Sequence, residues 1–174
     1  NRFKADVMRA HELLESGALG RKLFAQCNSF WWRGDNYYKL HWRGTWASEG
    51  GGCTLNHGIH HMDLLLWMMG PVSSVVALAE NEAHANSETE DVSMGILRFE
   101  NGGVGSVANS LLHHGERQNL LIDCEKGSVE LPWRLEASQQ RKNGYPETNE
   151  TLLEQLQKSG RKMNPRFQGF AGQI

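Results

Sequence analysis

Glu49-Gly50-Gly51-Gly52-Cys53-Thr54-Leu55-Asn56-His57-Gly58-Ile59-His60-His61-Met62-Asp63 is a triple glycine that runs directly into a helical pattern. Asn56, His60 and Asp63 stand at i, i+4 and i+7, so helical spacing stacks an amide, an imidazole and a carboxylate on one face. At ~100° per residue the three fall within an arc of about 60°, and Trp67 lies in the same arc. Leu55, Ile59, Met62 and Leu66 form a separate apolar stripe, which predicts the side turned to a core. A packed stripe beside a polar one, headed by glycines, predicts the wall of a small-molecule site.

The flanking patterns supply the rest of the fold. Upstream, Val7, Met8, Leu13 and Leu14 predict a helix over about 5–16, stopped at Gly17. Residues 23–32 read as an aromatic-rich strand. Residues 33–46 hold Gly34, Asn36, Tyr37, Tyr38, Trp42 and Gly44, an irregular segment of the kind that forms functional or interfacial loops. The central helix is predicted over about 55–69, ended by Gly70-Pro71.

Beyond it the period changes to two. Residues 74–83 have strand character; Val92, Met94 and Ile96 then alternate to one side, and Leu97 and Phe99 to the other. Asn101-Gly102 predicts a type I′ hairpin turn, which needs positive φ at both residues. Strands follow over 104–112, 119–124, 128–131 and 134–139, then a polar loop over about 140–150 and a short helix over 151–158. Roughly six strands joined by turns too short for parallel crossovers predict a mostly antiparallel sheet. The fold class is α+β, a large open sheet with helices on one face.

With 174 residues the chain is expected to be a single domain, 1–174, able to bury a core without disulfides. A net charge of -2 with no lysine or arginine block argues against nucleic-acid or anionic-membrane partners. No apolar run approaches the ~20 residues that span a bilayer, and Asn1-Arg2-Phe3-Lys4 is not a signal peptide. Cys27, Cys53 and Cys124 are odd in number and widely spaced, as expected of thiols in the reducing cytoplasm. With no initiator Met and a close at Gly172-Gln173-Ile174, the domain is expected to be cut at both ends.

The chemistry centres on His60, whose imidazole titrates near neutral pH and can exchange a proton with an alcohol oxygen. Asn56 and Asp63, a turn away on either side, can orient it or hold substrate hydroxyls. Two readings of the glycines stand open, a phosphate cradle and close backbone packing; GxGxxG and GKS/T motifs are missing. His57 and His61 form an i, i+4 pair with the spacing of HExxH zinc helices, but without the glutamate. His113-His114-Gly115-Glu116-Arg117 is expected at the junction of two strands, where it can complete a pocket. Trp31, Trp32, Tyr37, Tyr38, Trp42 and Trp46 can stack on sugars or pack a dimer interface, and Arg43 among them can clamp an anion. Met68 and Met69 read as helix packing.

Together the motifs resemble a family. Arg33…Tyr37-Tyr38…Trp42-Arg43-Gly44-Thr45-Trp46, then Glu49-Gly50-Gly51-Gly52, then Asn56-x-Gly58-Ile59-His60-x-x-Asp63-Leu64-Leu65-x-Trp67-x-x-Gly70 resembles the glucose–fructose oxidoreductase / inositol dehydrogenase / MocA family. Glu90-Asp91 leading to Leu97-Arg98-Phe99-Glu100-Asn101-Gly102 is similar to that family's sheet, and Asn1-Arg2-Phe3 to the strand opening its second domain. The resemblance covers nearly the whole chain, with GGG…N-x-G-I-H-x-x-D its most specific part.

The resemblance implies a two-domain NAD- or NADP-dependent enzyme acting on a sugar, polyol or sugar derivative. It casts this chain as the second, substrate-binding domain, with the Rossmann fingerprint and the Glu-Lys-Pro lysine motif elsewhere. His60 then matches the general acid/base; Asp63, Asn56, Tyr38 and His113 are the expected substrate contacts; Trp42 and Arg43 match the segment facing the cofactor. Asn56 sits where many members carry aspartate, and an amide cannot take up a proton there. Gly169 to Ile174 resembles the start of a final helix. The resemblance implies a homodimer or homotetramer through the sheet, and an isolated fragment that is catalytically silent. The alternative is a non-enzymatic ligand-binding or dimerisation module. Inositol, aldose, amino-sugar nucleotide and deoxy-sugar substrates are all compatible.

Overall fold

The period-3.6 and period-2 segments fold as helices and strands in the computed structural model, which describes residues 1–132, 134–140 and 146–162. In chain order they are α1 (Ala5–Glu15), β1 (Lys22–Trp32), a 3-10 turn (Asp35–Lys39), α2 (Trp46–Glu49), a π-helical turn (Thr54–Gly58) and α3 (Ile59–Met69). Then come β2 (Val72–Glu80), β3 (Val92–Phe99), β4 (Val104–Ser110), β5 (Leu112–Cys124), β6 (Gly127–Leu131), β7 (Arg134–Gln140), β8 (Pro146–Thr148) and α4 (Glu150–Lys162). The chain divides into two units, Phe24–Leu121 and Asn1–Leu23 with Ile122–Ile174. The final helix expected after Gly169 lies outside the described residues, as does 141–145 of the expected polar loop.

In the unit Phe24–Leu121 the strand order is β2-β3-β4-β1-β5. β2/β3 and β3/β4 are antiparallel hairpin neighbours, while β1 runs parallel to β4 from Phe24/Val104 to Phe30/Ser110. The parallel pair is possible because the whole of α3, β2 and β3 lies between its members, long enough for a crossover. Arg33 N donates to Leu111 O (2.8 Å), closing β1 on the start of β5. The Asn101-Gly102 hairpin forms, but not as type I′. Only Gly102 has positive φ (89°), with Gly102 N donating to Phe99 O (3.0 Å) and Phe99 N to Gly103 O (2.9 Å), the longer glycine-bulge turn.

β3 alternates as its sequence requires: Ser93, Gly95, Leu97 and Phe99 are buried, and Met94, Ile96 and Arg98 are exposed. Across the β2/β3 register, Val76 and Leu78 stand opposite Ile96 and Met94, so four large apolar side chains share the uncovered face.

The expected core stripe of the central helix is corrected. Leu55, Ile59 and Leu66 are 44%, 41% and 45% exposed, and the helix buries Gly58, Leu64, Leu65, Met68 and Met69 instead. Ile59 to Met69 is apolar on most sides, so periodicity could not choose between two faces. What chooses is Gly58, where a Cβ would run into the side-chain amide of Asn109; the helix approaches the sheet on its glycine side. Gly70 ends α3 with φ 93° and its N–H on Leu66 O (2.9 Å).

In the other unit, the end of β5 is followed by β6, β7 and β8, with β6/β7 and β7/β8 antiparallel. α1 turns Val7, Ala10, Leu13 and Leu14 inward, and Leu19, Ile122, Val129 and Ala137 are also buried. The architecture is α+β with a mostly antiparallel open sheet. No described helix is long and apolar enough to cross a membrane.

Candidate functional site

A helix start exposes N–H groups that need acceptors, and here the acceptors come from Glu90. Its carboxylate accepts from Gly52 N (2.8 Å) and Thr54 N (3.1 Å), while its main-chain oxygen accepts from Cys53 N (2.9 Å). A Cβ at Gly52 would collide with that same Glu90 carbonyl. Of the two readings of the triple glycine, close packing is the one realised, and an internal carboxylate occupies the donors. Below the clamp Thr54 Oγ1 donates to Ser93 Oγ (2.8 Å), which accepts from the buried Asn109 amide (3.0 Å).

The clamp is followed by the π-helical turn, whose i→i+5 bonds advance each residue by less than the α-helical angle. Asn56 lies in this turn, outside the regular helix that carries His60 and Asp63. Its Nδ2 donates to Gly51 O (2.7 Å), tying down the glycine loop. His60 lies exposed on the first turn of α3, and Asp63 is half-buried one turn on. His57 is half-buried among aromatic rings, 6.0 Å from Trp31 and 6.4 Å from Tyr37 between centroids. Burial first, then the charges of Arg33 and Arg43, push its pKa from 6.5 down to about 4, so the ring is neutral at pH 7. Among the described residues no group of three or more His, Cys, Asp or Glu is placed to hold a metal ion.

The irregular segment builds a ladder of rings and guanidinium groups. Arg43 lies over Trp42 (3.9 Å) and Tyr37 (4.3 Å); Arg33 lies over Tyr37 (5.4 Å) and Trp31 (5.0 Å). Glu49 fastens one end, accepting from Arg43 Nη1 (2.7 Å) and Gly44 N (2.5 Å). Tyr38, expected at the substrate, is 8% exposed and packed with Cys53 and Leu111. Its neighbour Tyr37 is the ring that lines a cavity of about 790 Å³, together with Trp32, Arg33, Asn36, His84 and His114. His113 and His114 stand at the start of β5, next to its junction with β4; His113 packs on Phe30 (5.3 Å), and His114 stacks on Trp32 (5.8 Å) at the cavity.

Behind the cavity is a pair that sequence reasoning missed. His84 Nδ1 lies 2.8 Å from Asp91 Oδ2 and Nε2 lies 2.8 Å from Arg33 O, so the buried ring bridges the carboxylate and the main chain. Burial opposes ionisation of Asp91. The N–H groups of Glu82 and Ala83 and the ring of His84 outweigh it, holding the carboxyl below its usual range. This pair fixes the backbone of Arg33. Neither periodicity nor a short motif links residues 33, 84 and 91; Asn109 and the clamping role of Glu90 are silent in the sequence for the same reason.

Comparison with known proteins gives a consistent answer. A family model described as the GFO/IDH/MocA C-terminal domain matches residues 7–130. The WlbA dehydrogenase of Bordetella pertussis, solved with NADH and UDP-GlcNAcA, is 34% identical with a TM-score of 0.71, over 75% of this chain and 40% of that one. The Chromobacterium violaceum WlbA, solved with the same ligands, is 28% identical with a TM-score of 0.72, over 92% of this chain and 46% of that one. Levoglucosan dehydrogenase with NADH and levoglucosan is 25% identical with a TM-score of 0.68, over 74% and 37% of the two chains. The chain thus spans less than half the length of each of these structures. No curated protein matches.

Proposed function

The chain belongs to the GFO/IDH/MocA family as a C-terminal domain, and from that premise we propose that it is the substrate-binding and catalytic-histidine half of an NAD- or NADP-dependent oxidoreductase acting on a sugar, polyol or sugar derivative. The observation that carries this reading is His60: exposed, at the start of a helix whose first turn is clamped by Glu90 and seated on Asn109. An imidazole so held can take the proton of a substrate hydroxyl without itself moving. Asp63 is the carboxylate nearest in sequence for a neighbouring hydroxyl. Asn56, spent on Gly51, acts by holding the loop.

The nicotinamide supplies the hydride acceptor. The residues here suit such a group as a surface more than as a phosphate clamp: Arg43 is already neutralised by Glu49, while Trp42 stays 40% exposed beside it. Trp46, Leu40, Leu55 and Ile59 are exposed as well, apolar area that a dinucleotide-binding domain would cover. The molecules bound in the dehydrogenase structures above, UDP-GlcNAcA and levoglucosan, support a carbohydrate-type ligand. The uncovered sheet face supports association as a homodimer or homotetramer. The buried thiols of Cys27, Cys53 and Cys124, which burial pushes up to about 12, 11 and 11, suit a cytoplasmic protein without disulfides.

The test is His60→Ala in the full-length protein, assayed for NAD(P) reduction against a panel of sugars and polyols. Loss of an acid/base group is expected to lower kcat by about 10²–10⁴-fold with the circular dichroism spectrum unchanged. An unaltered kcat would remove His60 from the chemistry.

A further inference from the structure

Arg33 is the cation that the proposed reaction leaves without a task. A guanidinium offers two faces and an edge. The faces of Arg33 are engaged by Trp31 and Tyr37, and of the five N–H groups such a side chain carries, one from Nη1 goes to the Trp32 carbonyl (2.8 Å). Among the described residues it has no carboxylate partner, in contrast to Arg43, which is paired with Glu49. Arg33 lines the 790 Å³ cavity, where its walls are the Trp32–His114 stack and the Tyr37 ring. Its backbone is pinned by His84, itself held by Asp91.

The surroundings are short of acceptors. Trp31 Nε1, Arg43 Nε and His57 Nδ1 are buried without a hydrogen-bond partner among the described residues, and the first two can only donate. The depressed pKa of His57 reports the same positive field, to which Arg33 and Arg43 both contribute. Asp35 is the carboxylate on the cavity wall, and it is exposed to solvent. An unpaired planar cation with a free edge, opening on a cavity with aromatic sides, is built for bidentate contact with an oxyanion.

We propose that Arg33 anchors an oxyanion, a carboxylate or phosphate carried on the sugar, in the cavity walled by Trp32, Tyr37 and His114. This deepens the carbohydrate reading above and rests on it. The preferred ligand is an acidic sugar, and a neutral one lacks the anchoring contact.

Direct binding separates this proposal from the catalytic one, because it needs no turnover. Ligand-observed NMR or calorimetry on the full-length protein would compare glucuronate, its methyl ester, glucose 6-phosphate and glucose. The expected result is that glucuronate or glucose 6-phosphate binds at least about tenfold tighter than the neutral ligands, the better of the two telling carboxylate from phosphate. The preference should shrink as salt is added. Arg33→Gln should abolish it while leaving neutral-sugar binding in place, and Arg33→Lys should keep part of it. Equal binding of acid and ester by the native protein, or no binding of any of the four, overturns the proposal without any variant. A preference that survives Arg33→Gln overturns it too. If the preference stands while His60→Ala leaves turnover unaltered, only the catalytic reading falls.

Discussion

Glu90→Gln tests whether the glycine-headed helix is held by an internal anion. In the native protein two carboxylate oxygens accept from Gly52 N at 2.8 Å and Thr54 N at 3.1 Å. Glutamine keeps one oxygen and turns an NH2 toward the other donor, so one charge-assisted bond becomes a neutral one and the second is lost. A hydrogen bond to a charged group is worth ~1.5–3 kcal/mol against about 1 for a neutral pair. Glu90 is half-buried, and water can answer part of the loss. The net cost is about 2–3 kcal/mol for opening of this turn. The main-chain bond from Cys53 N to Glu90 O is untouched, so the effect stays local. Hydrogen exchange reads it: the amides of Gly52 and Thr54 should exchange about 30- to 150-fold faster, with the β3/β4 amides unchanged. Unchanged protection at both amides would refute the clamp and return the glycine N–H groups to an external anion.

His57 gives a pH signature. Its folded pKa, about 4, lies below the ordinary 6.5, so its contribution is fully present above pH 6.5 and is lost as pH falls toward 4. The limiting slope is ~1.4 kcal/mol per pH unit, and partial solvation of the ring brings the total to about 1–2 kcal/mol; stability measured against His57→Asn should converge with the native curve near pH 4–5 and separate above it, and parallel curves would reject the shift. The uncovered sheet face predicts association: Met94→Glu with Ile96→Glu places charges where about 1.5–3 kcal/mol per side chain is gained on burial. Sedimentation should show a smaller species, and an unchanged mass would put the interface elsewhere.

How much of this was legible in the sequence depends on the range of each interaction. Strand alternation in β3 and the glycine stop of α3 are local, set within a few residues, and the sequence displays them. Resemblance rather than periodicity identified the family, because Asn56-x-Gly58-Ile59-His60-x-x-Asp63 is a compact run. The angular argument for that run did not foresee the π-helical turn at its start. It assumed ~100° per residue through Asn56, whereas residues Thr54–Gly58, clamped by Glu90 and seated on Asn109, form the wider π-helical turn.

The cavity lining differs from the expected substrate contacts in one respect. Tyr37 and Tyr38 are adjacent and chemically alike, as are His113 and His114, and within each pair sequence reading chose the residue turned away from the cavity. Which neighbour faces inward depends on how the backbone is rotated about its axis: adjacent residues stand about 120° apart in the 3-10 turn of the tyrosines and point to opposite faces in the strand of the histidines. Nothing in residue type records that rotation. The contacts that hold the start of the ring-rich segment are distant in sequence: His84 on the Arg33 carbonyl, Asp91 on His84, and the Leu111 carbonyl on Arg33 N. The part of the site that a sequence cannot show is therefore the part held by the loop carrying His84. That loop turns a ring-rich segment into a cavity with a fixed cation at its wall.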